Sequence, residues 1–336
     1  MFRGIVIAYC KWLLRILVVR LSALGDVVTG LHVLSTLRAR FGSAHIGWLV
    51  EDRFARLLRG HPQIDSLHVY ERRGLWFRFW RLPLLIWRLR RERYDVALDL
   101  QGNLKSGFLT WLAGAKRRAG LAAPHSKEGN RLFIAERVEV TSRHRVDACH
   151  ELIDAVLGPG PRAPAVLSAQ SSDHGSIVFH PGTSGFGSFK RWPATRFAAL
   201  GDRLARRLGA PVLLTAGPGE REQAEAVGAA LQSTARIADT PDVQTLINVL
   251  AGARLVVAGD TGPAHLAAAL GVPTVTLFGP KDPELLAPVG PRATAVTAGV
   301  RCSPCMLRHC PDPVCMTTLS VDAVEAQALA LLGEDA

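Results

Sequence analysis

The chain has 336 residues, 48% of them hydrophobic, which is more than one ordinary core accommodates and suits two domains. Its net charge of +11 is lopsided: residues 1–165 carry 27 Lys and Arg against 14 Asp and Glu, a net +13, whereas residues 166–336 carry 13 against 15, a net −2. Lys11, Arg15 and Arg20 interrupt the apolar start before it reaches the roughly 18 residues of a membrane span, and no small-residue cleavage site follows, so a soluble or peripheral protein without a signal peptide is expected.

Residues 1–14 read as a short membrane-touching extension or an overlong start. Ile16–Arg20 is predicted as a buried strand, residues 21–26 as a loop, and residues 27–41 as a helix with Val27, Leu31, Leu34 and Leu37 on one face. Further strands are predicted at Ile46–Val50, Leu67–Tyr70 and Val96–Leu100. Residues 71–93 hold eight Arg and two Glu together with Trp76, Phe77, Phe79, Trp80 and Trp87. Such a mixture suits a lipid headgroup interface, an acidic glycolipid or nucleic acid, and equally a basic surface helix whose tryptophans pack on the core. The Pro- and Gly-rich stretch 158–176 reads as the interdomain linker.

A second series follows: strand Ile177–His180, a Gly/Ser loop, helix 193–208, strand Val212–Thr215, a helix opened by Glu220, strand Leu255–Ala258, a helix after Pro263 and strand Thr274–Phe278. This alternation predicts an α/β fold of two Rossmann-like halves with parallel sheets facing a cleft. The expected domains are 1–165, 166–320 and a terminal helix, 321–336, returning to the first half.

Ligands of open α/β sheets collect where strands run into helices. After the first strand, Gly25 permits a tight turn, and Asp26 is either a helix cap or a general base at the cleft edge. The loop from His180 to Pro193 offers Thr183, Ser184 and several glycines for close approach to phosphate oxygens, with Lys190 adding a positive charge. Glu220, after Gly217-Pro-Gly, is placed either to accept ribose hydroxyls or to offset a helix dipole. Asp260, Thr261 and His265 surround a helix start with Gly262 and Pro263 at its head, where Thr261 is expected to cap the free amides and an anion to bind. No G-x-G-x-x-G follows any strand, which disfavours a nicotinamide dehydrogenase.

Cys302, Cys305, Cys310 and Cys315 crowd together with spacing C-x2-C-x4-C-x4-C, and six cysteines without an export signal suit a reducing compartment. They fit a zinc or iron-sulfur site, or a rigid structural loop with Pro304, Pro311 and Pro313.

Taken together, Arg20-Leu-Ser-Ala-Leu-Gly-Asp-Val, Tyr94-Asp-Val-Ala-Leu-Asp-Leu-Gln-Gly-Asn-Leu-Lys-Ser, Lys190-Arg-Trp-Pro and Gly259-Asp-Thr-Gly-Pro-Ala-His resemble glycosyltransferase family 9, the bacterial lipopolysaccharide heptosyltransferases of GT-B architecture. The resemblance spans about Arg15 to Val321, and Trp48-Leu-Val-Glu51 with residues 99–106 is most similar to its heptosyltransferase I branch. It implies an inverting transfer from ADP-heptose to the 3-deoxy-octulosonate of a lipid-anchored inner core, with no cofactor and no metal. It further implies Asp26 as base, Thr183, Ser184, Lys190, Thr261, Gly262 and His265 at the diphosphate, Glu220 at the ribose and Asp260 at the sugar. Arg72 and Arg73 become candidates for the acidic acceptor, and a cytoplasmic location peripheral to the inner membrane follows. A later core acceptor or another nucleotide-heptose is the alternative. A nucleic-acid-binding protein is disfavoured, because the positive charge is confined to one half and no nucleic-acid module appears.

Overall fold

The computed structural model describes residues 14–72, 80–127, 129–167, 169–171, 175–183, 185–307 and 309–334. The chain divides into two compact units between Val166 and Leu167, inside the Pro- and Gly-rich stretch.

The first unit holds six strands: β1 (Arg15–Val19), β2 (His45–Glu51), β3 (Ser66–Tyr70), β4 (Val96–Asp99), β5 (Arg117–Leu121) and β6 (Glu136–Val138). They form one parallel sheet in the order β3-β2-β1-β4-β5-β6. A sheet covered by helices on both faces needs apolar residues at successive positions, and Ile16, Leu17, Val18 and Val19 are all fully buried. Leu17, Val19, Leu49 and Ala97 build one side of the core together with Leu85 and Leu89 of helix Arg81–Arg91 and Leu109 of helix Leu104–Leu112.

The second unit repeats the plan with β7 (Ile177–His180), β8 (Val212–Ala216), β9 (Ala235–Asp239), β10 (Leu255–Gly259), β11 (Thr274–Phe278) and β12 (Ala293–Thr297). Its parallel order, β12-β11-β10-β7-β8-β9, is the first sheet's order read from the other edge. In both sheets the direction of winding reverses beside the first strand, between β1 and β4 and between β7 and β10, so a crevice opens at the carboxyl ends of those strands. The terminal helix Val321–Leu332, expected against the first half, instead buries Val324, Ala328 and Leu329 in the core of its own unit.

The first helix starts earlier than expected, at Leu24, and Asp26 lies in its first turn rather than ahead of it. The Asp26 carboxylate accepts the Ala23 N–H at 3.2 Å, which secures one of the amides a helix start leaves unpaired. Strands β5, β6, β9 and β12 lie outside the expected set. β6, β9 and β12 are sheet-edge strands, and β5, β6 and β9 carry charged residues, so the apolar run that marks a central strand is missing.

Candidate functional site

In the first unit the chemistry gathers at the ends of β1 and β4. Arg20 is completely buried, which is tolerable only because each guanidinium nitrogen has an acceptor. Its Nη2 pairs with Asp26 Oδ1 at 2.6 Å, Nε donates to the Asp26 carbonyl at 3.0 Å and Nη1 donates to the Leu100 carbonyl. Asp26 is thereby fixed in orientation while one third of its side chain stays exposed. A carboxylate held in one orientation and still partly exposed can accept a proton from a hydroxyl.

The turn after β4 holds this loop in place. Asp99 is fully buried and accepts from Gln101 N, Gly102 N, Ser106 Oγ and Asn130 Nδ2 at 2.7–3.1 Å. Burial pushes its carboxyl above the usual range, and these hydrogen bonds pull it back. Gly102 adopts φ +73°, and a side chain there would meet the His125 carbonyl, so the tight turn requires glycine. Gln101 is thus aimed at the loop after β1, where its Oε1 accepts from Leu21 N at 3.1 Å and Ser22 N at 3.2 Å. One side chain therefore ties the β4 turn to the loop that carries Asp26.

Arg145, at the start of helix Arg145–Leu157, is a further cation in this neighbourhood. Among the described residues its Nε is buried without a hydrogen-bond partner, and its bond from Nη2 to the Gln101 carbonyl is 3.5 Å long. Burial and the nearby Arg20 charge push its pKa down, whereas Asp26 works in the opposite direction. Glu51, buried at the end of β2, pairs with Lys105 and Arg53. Arg72 is exposed just past β3, at the same end of the sheet, and Arg73 lies outside the described residues.

In the second unit the ends of β7, β8 and β10 bring the expected groups together. Lys190 Nζ pairs with Asp260 Oδ2 at 2.9 Å, both largely buried. Thr261 stands ahead of helix Gly262–Ala269 without capping it: its hydroxyl donates to the Gly259 carbonyl at 3.2 Å, which corrects the expected cap. Gly262 opens the helix, Pro263 follows it, and half-buried His265 sits one turn further on. A helix start carries partial positive charge, and the Thr261 side chain does not cap this one, so its end suits an anion.

Glu220 folds back over its loop. Its Oε2 accepts from Gly217 N at 3.1 Å and lies 3.3 Å from His180 Nε2. A Cβ on Gly182 or Gly217 would come within 2.8 Å of the Glu220 carboxyl group, so both glycines make room for it. Burial raises the Glu220 carboxyl, opposed by the Gly217 N–H and the Arg191 charge. Burial also lowers His180 to about 4, so its ring is neutral near pH 7, with Nδ1 bonded to Thr215 Oγ1 at 3.0 Å. Thr183 is buried, and its hydroxyl accepts from Arg191 Nε at 3.0 Å. Arg191, which the sequence pattern alone does not single out, is therefore a second anchored cation beside Lys190. Ser184 lies outside the described residues.

Cys302 is exposed and Cys315 is buried against Gly279, while Cys310 Sγ approaches the Asp312 carbonyl at 3.2 Å. All four are free thiols, and among the described residues no three His, Cys, Asp or Glu are gathered to hold a metal.

The sequence alone assigns no individual roles to Arg20, Gln101, Arg145 and Arg191. Their signal was present only as unexplained polar residues inside motifs or beside a helix start.

The sequence matches the family model described as "Glycosyltransferase family 9 (heptosyltransferase)" over residues 84–315. It is 29% identical to lipopolysaccharide heptosyltransferase 1 of Pseudomonas aeruginosa, with 95% of this chain and 98% of that protein covered. Identity to lipopolysaccharide heptosyltransferase 1 of Escherichia coli K12 is also 29%, covering 82% of this chain and 91% of that one. Among solved structures, that of E. coli heptosyltransferase WaaC with ADP superposes with a TM-score of 0.78 at 25% identity, covering 95% of this chain and all of that one (100%). The fold is accordingly of the GT-B class.

Proposed function

Because the chain belongs to glycosyltransferase family 9, we propose that it transfers heptose from ADP-heptose to the 3-deoxy-octulosonate of a lipid A-anchored inner core, with inversion at the anomeric carbon. The observation that carries the donor half of this reading is the start of helix Gly262–Ala269, left without a Thr261 side-chain cap, with the Lys190–Asp260 pair on the same unit. It is suited to a diphosphate, and Glu220 on the neighbouring loop is suited to ribose hydroxyls. Asp26 supplies the acceptor half: an oriented, partly exposed carboxylate at a sheet's carboxyl end.

The steps follow from ordinary chemistry. Asp26 takes the proton of the acceptor hydroxyl as that oxygen attacks C1 of the sugar, on the face opposite the departing ADP. The sugar carbon passes through a state with oxocarbenium character, as in other glycosyl transfers. Negative charge builds on the β-phosphate, and Lys190, released from Asp260, offsets it together with the helix N–H groups and Arg191. Asp260 is then available to hydrogen-bond the transferred sugar. Arg72 and Arg145 are the cations on offer to the acidic groups of the acceptor. Because that acceptor is lipid-anchored, the site of action is the cytoplasmic surface of the inner membrane.

Calorimetric titration of ADP into wild type and Lys190→Ala tests the donor half. Losing a charge-assisted contact worth about 1.5–3 kcal/mol should weaken binding by roughly ten-fold or more. Equal affinity in the two proteins would remove Lys190 from the diphosphate site.

A further inference from the structure

Two neighbouring helices of the first unit carry large apolar side chains on the side that faces away from the core. Helix Arg81–Arg91 turns Leu85 and Leu89 inward, while Trp80, Leu84 and Trp87, spaced by one turn each, line the opposite side. Helix Leu104–Leu112 repeats the arrangement with Leu109 inward and Leu104, Phe108 and Trp111 outward. Trp87 is 55% exposed and Trp111 46%, so these rings are not core residues seen at their edges. Both helices pack on the same core cluster and touch where Arg90 Nε donates to the Leu112 carbonyl at 3.0 Å, so their outer faces share one side of the unit. Leu132, 74% exposed, extends the second stripe, and Phe133 stacks edge-on against Phe108.

An ordinary surface helix has one apolar stripe and spends it on the core. Two adjacent helices with a second stripe each make an apolar surface that water does not favour, and such surfaces mark interaction sites. The charges around it select the partner. Arg88 and Arg91 lie on or beside the first stripe, as does Arg81, which is paired with Glu71, and the guanidinium groups of Arg81 and Arg91 sit 5.4 and 5.3 Å from the rings of Trp80 and Trp87. The second helix contributes no acid, and its Lys105 is held by Glu51. A two-fold contact between copies of this face would set these arginines against one another, whereas an anionic bilayer matches both features: acyl chains for the rings and phosphates for the arginines.

We propose that the outer face of these two helices is a membrane-docking surface that seats the first unit on an anionic lipid leaflet. The proposal rests on the reading of the acceptor as lipid-anchored and names the surface that would reach it. The test is cosedimentation of the whole protein with vesicles of equimolar phosphatidylglycerol and phosphatidylcholine, and with vesicles of phosphatidylcholine alone. Wild type should partition onto the anionic vesicles, less onto the neutral ones, and less at high salt. The double variant Trp87→Ser, Trp111→Ser should lose about ten-fold or more in partition while keeping its thermal midpoint and its affinity for ADP, since both rings stand outside the core. Equal partition of variant and wild type overturns the proposal. So does a wild type that ignores vesicles, or one whose dimer, seen by light scattering, dissolves in the variant while vesicle binding persists. The vesicles carry no sugar, so this outcome is separate from the reaction itself: transfer to a detergent-soluble acceptor with no vesicle binding would sink the surface alone, and the reverse would sink the proposed reaction alone.

Discussion

Gln101 makes the sharpest case at the scale of single residues. Its side-chain oxygen accepts two backbone amides of the loop that presents Asp26, yet it does not bond the Asp26 carboxylate itself. Gln101→Ala should therefore act through positioning, lowering kcat by about 10- to 100-fold, the scale of a misplaced catalytic group, with little change in ADP affinity. Gln101→Glu, which keeps an acceptor in place, should recover part of that loss. Steady-state kinetics on both variants check this, and a Gln101→Ala enzyme with wild-type kcat would show that the clamp is dispensable. His180 carries a second expectation. Its folded pKa of about 4 lies below the unfolded value of 6.5, so below pH 6.5 the unfolded chain takes up a proton that the native state refuses until about pH 4. Stability should fall as pH drops across that window by up to about 3 kcal/mol from this group. Urea denaturation of wild type and His180→Gln at several pH values measures it; an unchanged slope in the variant would assign the loss to other groups. The positions of Lys190, Glu220 and Asp260 were legible in the sequence because a polar residue after a strand and before a helix is placed by topology alone, whereas Asp26, expected ahead of its helix, lies in the first turn. The bonds between them were not legible: Lys190 and Asp260 are seventy positions apart in the chain, and only the β7–β10 pairing brings their loops together.

Among the elements, the central strands announced themselves and the edges did not. Ile177–His180 and Thr274–Phe278 match their expected ranges because a strand buried on both faces reads as an unbroken apolar run. Arg117–Leu121 begins with two arginines and contains a glycine, and gave no such run. The two outward stripes of helices Arg81–Arg91 and Leu104–Leu112 were hidden for a different reason: a helix apolar on two sides shows no clean period, so the Arg- and Trp-rich stretch remained open between core packing and a surface role. Within β2, Gly47 marks a close approach. A Cβ there would lie 1.9 Å from the Tyr94 hydroxyl, which is buried and bonded to His68 Nε2 at 2.7 Å. Gly47→Ala should destabilise the first unit by about 1–3 kcal/mol, the usual cost of overpacking, because Tyr94 must move and give up its partner. Denaturant midpoints for this variant check it, and a midpoint equal to that of wild type would mean that the tyrosine yields at no cost.

The molecule as a whole divides its charge as it divides its fold. The basic half carries Asp26, Arg145, Arg72 and the arginine-flanked apolar face; the near-neutral half carries the Lys190, Glu220 and helix-terminus constellation. Under the proposed reaction, an acidic lipid-anchored acceptor for one and a nucleotide sugar for the other would account for that asymmetry, which a uniformly basic nucleic-acid binder would not show. The composition revealed the asymmetry, and the motifs linked it to transfer of a sugar. The most direct measurement is transfer of heptose from ADP-heptose to a lipid A bearing two 3-deoxy-octulosonate residues, with wild type and Asp26→Asn side by side. The account predicts product with wild type and turnover lower by roughly 10²–10⁴-fold in the variant, the usual contribution of a general base, with ADP affinity retained. Equal turnover in the two proteins, or no product from a wild type that binds ADP, would contradict it.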